Sequence, residues 1–326
     1  MAGTSPPKRQ VPFILGLILI LAALPLGYFL FLQQPPPPPP PPPTPSPAPV
    51  EAKAPEKPVQ MEFGEVTGTV EVRHEGGTWE PAKRGMPLRP SDSVRTKEGS
   101  SAELLSEAVK VTMDPATDVS VQELTSSLSR ILLENGMATA VVRPGKRETF
   151  EIKAAGSDAV ASTTGGTFTM SNNGAGTVAV GTREGEVSFL GGGKVVIVRA
   201  GQQSIIRPGS SAPSEPTEIP SSLLRKVQWP TGRQKQREVI VQGEAVPGSR
   251  LEIAGESFSP TPDGTFVRKV SLKEGENEVK LKVSSVGGNK EEASEKILVD
   301  TRPPKLKIKT PWQNSDGQPP PGPGQQ

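Results

Sequence analysis

Along most of the chain, apolar residues alternate singly with polar ones in short runs that end at glycine, proline, asparagine or aspartate. Residues 65–73 (EVTGTVEVR) set the pattern: Val66, Val70 and Val72 lie between polar neighbours, and the run stops at Gly76-Gly77, a hairpin signal. Residues 109–113, 137–143 and 149–153 repeat it, and by context 101–107 (SAELLSE) read as a strand rather than a helical turn. Val178, Val187, Val196 and Ile205 then recur every nine residues, separated by the turns GTREG, LGGGK and RAGQQ. An antiparallel meander and a stacked solenoid both produce that period. Six further runs, 238–242, 249–253, 265–270, 277–283, 294–299 and 305–309, are joined by turn-forming segments such as VPGS and PDG and predict a small β-sandwich.

One segment breaks the alternation. Residues 11–32 (VPFILGLILILAALPLGYFLFL) carry no charge, and as a helix they are long enough for the hydrocarbon core of a bilayer, ~30 Å thick. A cleaved signal peptide competes with a membrane anchor. The run is longer than a usual signal core and leads into Gln33, Gln34 and polyproline rather than a small-x-small cleavage site, which favours the anchor. Lys8 and Arg9 precede the segment and no basic residue follows before Lys53, which places residues 1–10 in the cytoplasm and the rest outside it. Pro35 to Pro43 are consecutive prolines and open a stalk of polyproline II type over 33–60. Residues 311–326 read as a disordered tail.

Composition narrows the chemistry. Proline (38) and glycine (34) are abundant enough in 326 residues to keep part of the chain outside any core. The absence of cysteine removes disulfides, thiolate metal sites and a cysteine nucleophile. The single histidine, His74, sits at the mouth of a predicted hairpin and reads as a turn residue. A net charge of +2 gives no footprint for nucleic acid. It is unevenly shared, with 16 basic and 18 acidic residues over 61–213 but 17 and 12 over 225–310. An anionic polymer facing the second region is one reading, and a solvated Lys/Glu surface the other.

Two glycine stretches invite a phosphate reading. GGGK at 191–194 lacks P-loop spacing and is followed by Val195. TTGGTFTMSNNGAG at 163–176 is followed by strand-like TVAV, whereas a phosphate loop opens a helix. Its glycines are therefore assigned to tight turns and close backbone approach. Trp79 is expected to pack on the first domain, and Trp229 and Trp312 to anchor its seams. No catalytic, cofactor-binding or metal-ligating residue is nominated, and the binding residues are left open.

The segments GEVTGTVEV, MPLRPSDSVRTKEGSSAEL, ENGMATAVV and TTGGTFTMSNNGAGTVAVGTREGEVSFLGGGKVVIVRAGQQ resemble the FecR domain, named for a periplasmic regulator of ferric citrate uptake. The family's Gly-Asp before a strand appears as Ser91-Asp92, with Thr96 after it. Its Arg-Gly-Thr-aromatic signature appears as Gly165-Gly166-Thr167-Phe168, so the arginine position is glycine. VQGEAVPGSRLEI, PDGTFVRKVSLKEGENEVKLKV and VDTRPPKLKI resemble a bacterial immunoglobulin-like module of the glucodextranase type, usually an accessory one.

The expectation is an all-β protein with one N-terminal transmembrane helix: cytoplasmic 1–10, helix 11–32, stalk 33–60, a FecR-type solenoid or meander over 61–213, linker 214–235, an Ig-like sandwich over 236–310 and tail 311–326. Its expected place is the inner membrane, with its bulk in the periplasm. The leading functional reading is a non-enzymatic, membrane-anchored binding or scaffolding protein that needs no cofactor. Its partners would be an envelope protein, polysaccharide or peptidoglycan. The alternative is a FecR-like component of transmembrane signalling. The resemblance implies coupling of an outer-membrane receptor to a sigma factor through a cytoplasmic helical domain, for which residues 1–10 are too short, so signalling would run through a partner.

Overall fold

The computed structural model describes residues 60–145 and 149–303, together with residues 16–21, 23, 25 and 28. It divides into two compact units, Met1–Ala54 and Pro55–Gln326. In the first, the nine described residues are helical. Among the described residues no helix is long and apolar enough to cross a membrane. The rest of the expected span 11–32 lies outside the described residues, as do the N-terminus 1–10, the stalk up to residue 59, the last expected strand 305–309 and the tail 311–326.

The second unit is all β. Its first module contains β1 (Met61–Thr67), β2 (Val70–Arg73), β3 (Glu80–Pro81), β4 (Pro87–Leu88), β5 (Ser93–Thr96), β6 (Ser101–Leu105), β7 (Val109–Met113) and β8 (Asp118–Leu124). It continues with β9 (Leu128–Val142), β10 (Thr149–Ala154), β11 (Val160–Thr163), β12 (Gly166–Asn172), β13 (Val178–Gly191), β14 (Lys194–Arg199), β15 (Gln202–Ile206) and β16 (Thr217–Glu218). These strands make two layers. One sheet runs β4-β1-β6-β7-β9-β12-β13-β15-β16 and the other β3-β2-β5-β8-β9-β10-β11-β13-β14. Below they are the A and B sheets. Within this module every pair is antiparallel except β9 with β10, so the chain is not a stack of parallel coils.

Two long strands, β9 and β13, belong to both layers, and their burial patterns show how. In β9 the core-facing residues are odd-numbered, Ile131 and Leu133, and then even-numbered, Ala138, Ala140 and Val142. The parity changes at Gly136, whose φ of +102° favours glycine and whose missing side chain leaves room for Thr117. In β13 the parity changes from Val178 and Val180 to Val187 and Phe189 across Gly185, at φ +76°. A strand that swaps parity turns its inner face from one sheet to the other. Both sheets thereby share one core, in which Phe63, Phe150, Phe168, Phe189, Ile131 and Leu104 are fully buried. Three of the four positions in the nine-residue series, Val178, Val187 and Val196, point into this core. Ile205 points out of it, and its neighbour Ile206 takes the inner place.

The second module contains β17 (Leu224–Gln228), β18 (Glu238–Ala245), β19 (Arg250–Ile253), β20 (Glu256–Phe258), β21 (Thr265–Ser271), β22 (Gly275–Ser284) and β23 (Lys290–Val299). Its sheets, β17-β18-β21 and β20-β19-β22-β23, enclose a core with Val241, Leu251, Leu281 and Phe266. The segment expected as linker, 214–235, carries β16, which extends the A sheet, and β17, which pairs with β18.

The second module packs on the outer face of the A sheet, where the side chains are small. Met137, Ala179 and Val286 form a separate apolar cluster there, with Ile205 against it. A Cβ on Gly181 would lie 2.6 Å from the Val286 carbonyl oxygen, and one on Gly248 would lie 2.5 Å from the Ala179 Cβ. Ser171 Oγ donates to the Gly248 carbonyl at 2.8 Å.

Candidate functional site

The stretch 163–176 builds one corner of the first module, and Thr163, Ser171, Asn172 and Asn173 in it hold backbone groups. Thr163 Oγ1 lies 2.9 Å from the carbonyls of Gly165 and Glu186 and accepts from the Gly165 amide at 3.2 Å. Gly166 has φ +126°, and a Cβ there would strike the Glu184 carbonyl oxygen. Residues 166–172 then enter β12, in the middle of the A sheet between β9 and β13. At the far end Asn172, 1% exposed, donates through Nδ2 to the carbonyls of Leu133 and Glu134, beside the β9 corner, and of Ala155. The Asn173 side chain accepts from the amides of Ala175 and Thr177. These are turn and corner devices. The Gly165 amide is already engaged and no helix follows, so no phosphate cradle exists here.

The corner leaves a cleft of about 580 Å³ bounded by residues 141–145, 164–167 and 184–185, a size typical of ligand sites. Val141, 40% exposed, offers apolar surface, Arg143 a cation and Glu184 an anion. Arg143 donates to the Glu107 carbonyl at 3.3 Å, and Thr167 donates to Glu184 Oε2 at 3.2 Å. Among the described residues, neither histidine nor a second carboxylate stands beside that threonine in the cleft lining. Its described lining thus offers main-chain surface with one charge of each sign, suited to recognition.

A second polar centre lies in the B sheet. Asp92 is fully buried; one carboxylate oxygen takes the Arg89 amide at 2.8 Å and His74 Nδ1 at 2.9 Å, while the other has no partner. His74 is therefore more than a turn residue, since its ring nitrogen meets the buried Asp92 carboxylate at the strand entry. Ser91, where the family pattern has glycine, sits at φ +76°, the region that favours glycine. Thr96 Oγ1 donates to the Asp114 carbonyl at 2.7 Å and accepts from the Thr117 amide at 3.0 Å, fastening the next turn. Trp79 lies against the guanidinium groups of Arg73 and Arg95, 4.8 and 4.0 Å from its ring centre. Trp229 packs against the second core, and Trp312 lies outside the described residues.

Residues 92–188 match the family described as FecR protein. The match begins on Asp92 and includes both strand corners and the cleft lining. Gly165, at the family's arginine position, has Pro144 3.0 Å from where a Cβ would stand, so the cleft wall occupies the space of a larger side chain. Two structures of a candidate anti-sigma factor from Parabacteroides distasonis are similar at 18% and 17% identity, each with a TM-score of 0.35. Each similarity covers 39% of this chain and 59% of that one. A polysaccharide lyase is similar at 11% identity and a TM-score of 0.19, over 75% of this chain and 40% of its own. No match was found among the curated proteins.

A third centre lies between the modules and was invisible in the sequence. Arg250, 8% exposed, donates to the Ala116 carbonyl at 2.8 Å, and its Nε has no partner. Burial lowers its pKa. Burial raises the Asp114 carboxyl above the usual aspartate range, against the pull of Lys290 and Arg250. Asp118 is also raised, by burial and by Glu134. Glu98 accepts the Ser257 amide at 2.7 Å nearby. No metal-binding group of three or more His, Asp or Glu occurs among the described residues.

Proposed function

We propose that this chain is a FecR-related component of transmembrane signalling that acts through a protein partner, without catalysis. The observation that carries the reading is the FecR match over 92–188. The glycine-cornered cleft, whose described lining offers apolar and main-chain recognition surface with Arg143 and Glu184, is in keeping with it. In this reading residues 11–32 anchor the chain in the inner membrane with its bulk in the periplasm. The second module is an Ig-like accessory domain that braces the A sheet.

Deleting residues 61–310 from the chromosomal copy and sequencing the transcripts tests this. The expected result is a changed set of envelope-related transcripts, restored by the full chain. An unchanged profile, with an envelope protein, polysaccharide or peptidoglycan still retained by the full chain, replaces signalling with the presentation of two binding modules.

A further inference from the structure

Exposed sheet edges invite pairing with other chains, and natural proteins shorten them, charge them or place proline in them. In the first module, β3 and β4 are two residues long and contain Pro81 and Pro87, and β16 is also two residues long. In the second module, β23 (KEEASEKILV) is studded with charge and β21 carries Arg268 and Lys269. The edge strand β14, KVVIVR, has none of these protections between its terminal residues. Among the described residues it pairs only with β13. Among the described residues, no main-chain hydrogen bond joins 194–198 to any other backbone. Its outward residues Val195 and Ile197 are 55% and 38% exposed, and Leu190, in register with Val195, is 37% exposed.

We propose that β14 is a homodimer edge, pairing antiparallel with β14 of a second copy about a two-fold axis at Val196. Partners in an antiparallel ladder share a face, so their numbers must have the same parity. Centring on Val196 sets Val195 opposite Ile197 of the other copy and Ile197 opposite its Val195. Lys194 then faces Val198, and Arg199 faces Gly193. No like charges are opposed, and the outward faces merge into one apolar strip that includes both Leu190 side chains. About Val196 the outward residues on either side, Val195 and Ile197, are both apolar and β-branched, so the edge is self-complementary in this register, as an isologous interface requires. Lys194 is held by Glu215 of its own chain at 2.6 Å, away from the strip.

The chain has no cysteine, so engineered thiols report without background. In the full chain in its own membranes, Val195→Cys with Ile197→Cys is expected to form a disulfide-linked dimer on mild oxidation. The yield should be about tenfold above either single variant, because identical positions lie on the ladder diagonal, beyond easy disulfide reach. Val195→Lys with Ile197→Lys, both exposed and compatible with the fold, should abolish dimer capture by an amine crosslinker. Absence of the disulfide dimer, equal yields from the single variants, a product with a different protein, or amine-crosslinked dimer persisting in the lysine variant would each overturn the proposal.

Discussion

The two outer faces of the first module differ in what they are built to meet. On the A sheet, Ser171, Ala179 and Gly181 are small and uncharged, and the second module lies directly on them. On the B sheet, away from the β14 edge, outward positions carry ion pairs: Arg95 and Lys97 with Glu71, and Arg130 with Glu123 and Glu151. The same alternation of inward apolar residues underlies both sheets, so the outward set alone separates a face made to be covered from one made to stay wet. Small outward residues permit backbone-close packing, whereas half-exposed ion pairs contribute little stability.

The comparison breaks most sharply at Gly181. Gly181→Leu drives a side chain into the Val286 backbone, and the expected loss is about 3 kcal/mol, typical of overpacking without room to relax. Thermal unfolding and protease cleavage within 219–235 would register it. Arg250→Ala comes next, at about 2 kcal/mol, because it removes charged donors to the backbone carbonyls of the 114–117 turn. A denaturant titration gives that value. Asp114→Asn has a smaller effect of opposite sign at neutral pH. The Asp114 pKa is raised on folding, so its stabilising contribution is complete below the unfolded aspartate pKa and is lost as pH rises through the folded value. The variant should therefore melt higher than wild type at pH 7, and the gap should close on acidification into the usual aspartate range. Arg130→Ala, on the wet face, should change stability by no more than about 0.5 kcal/mol.

The strands of both modules were legible because period-two alternation between glycine and proline turns is a local signal. Residues 109–113 coincide with β7, and 101–107 contain β6. The parity reversals at Gly136 and Gly185 were present in the sequence as well, but without pairing Gly185 read as the ordinary turn GTREG and Gly136 carried no signal of its own. Asp92 entered through the family motif, whereas its bond to His74 depends on two strands meeting and carries no spacing signal. The covering of the A sheet was hidden for a related reason. Residues such as Ala179 and Gly181 look like neutral surface until Gly248 and Val286, far along the chain, arrive on them. The proline- and serine-rich composition of 214–235 suggested slack, while β16 and β17 tie both its ends into sheets.

The central structural claim is that the covered face holds the two modules as one body. Spin labels on Lys83→Cys in the first module and Lys296→Cys in the second, both exposed and with no native thiol to compete, measure it by pulsed electron resonance on the full chain. A single narrow distance distribution, broadened by Gly181→Leu, is the predicted result. A broad distribution in the wild-type chain would contradict the account.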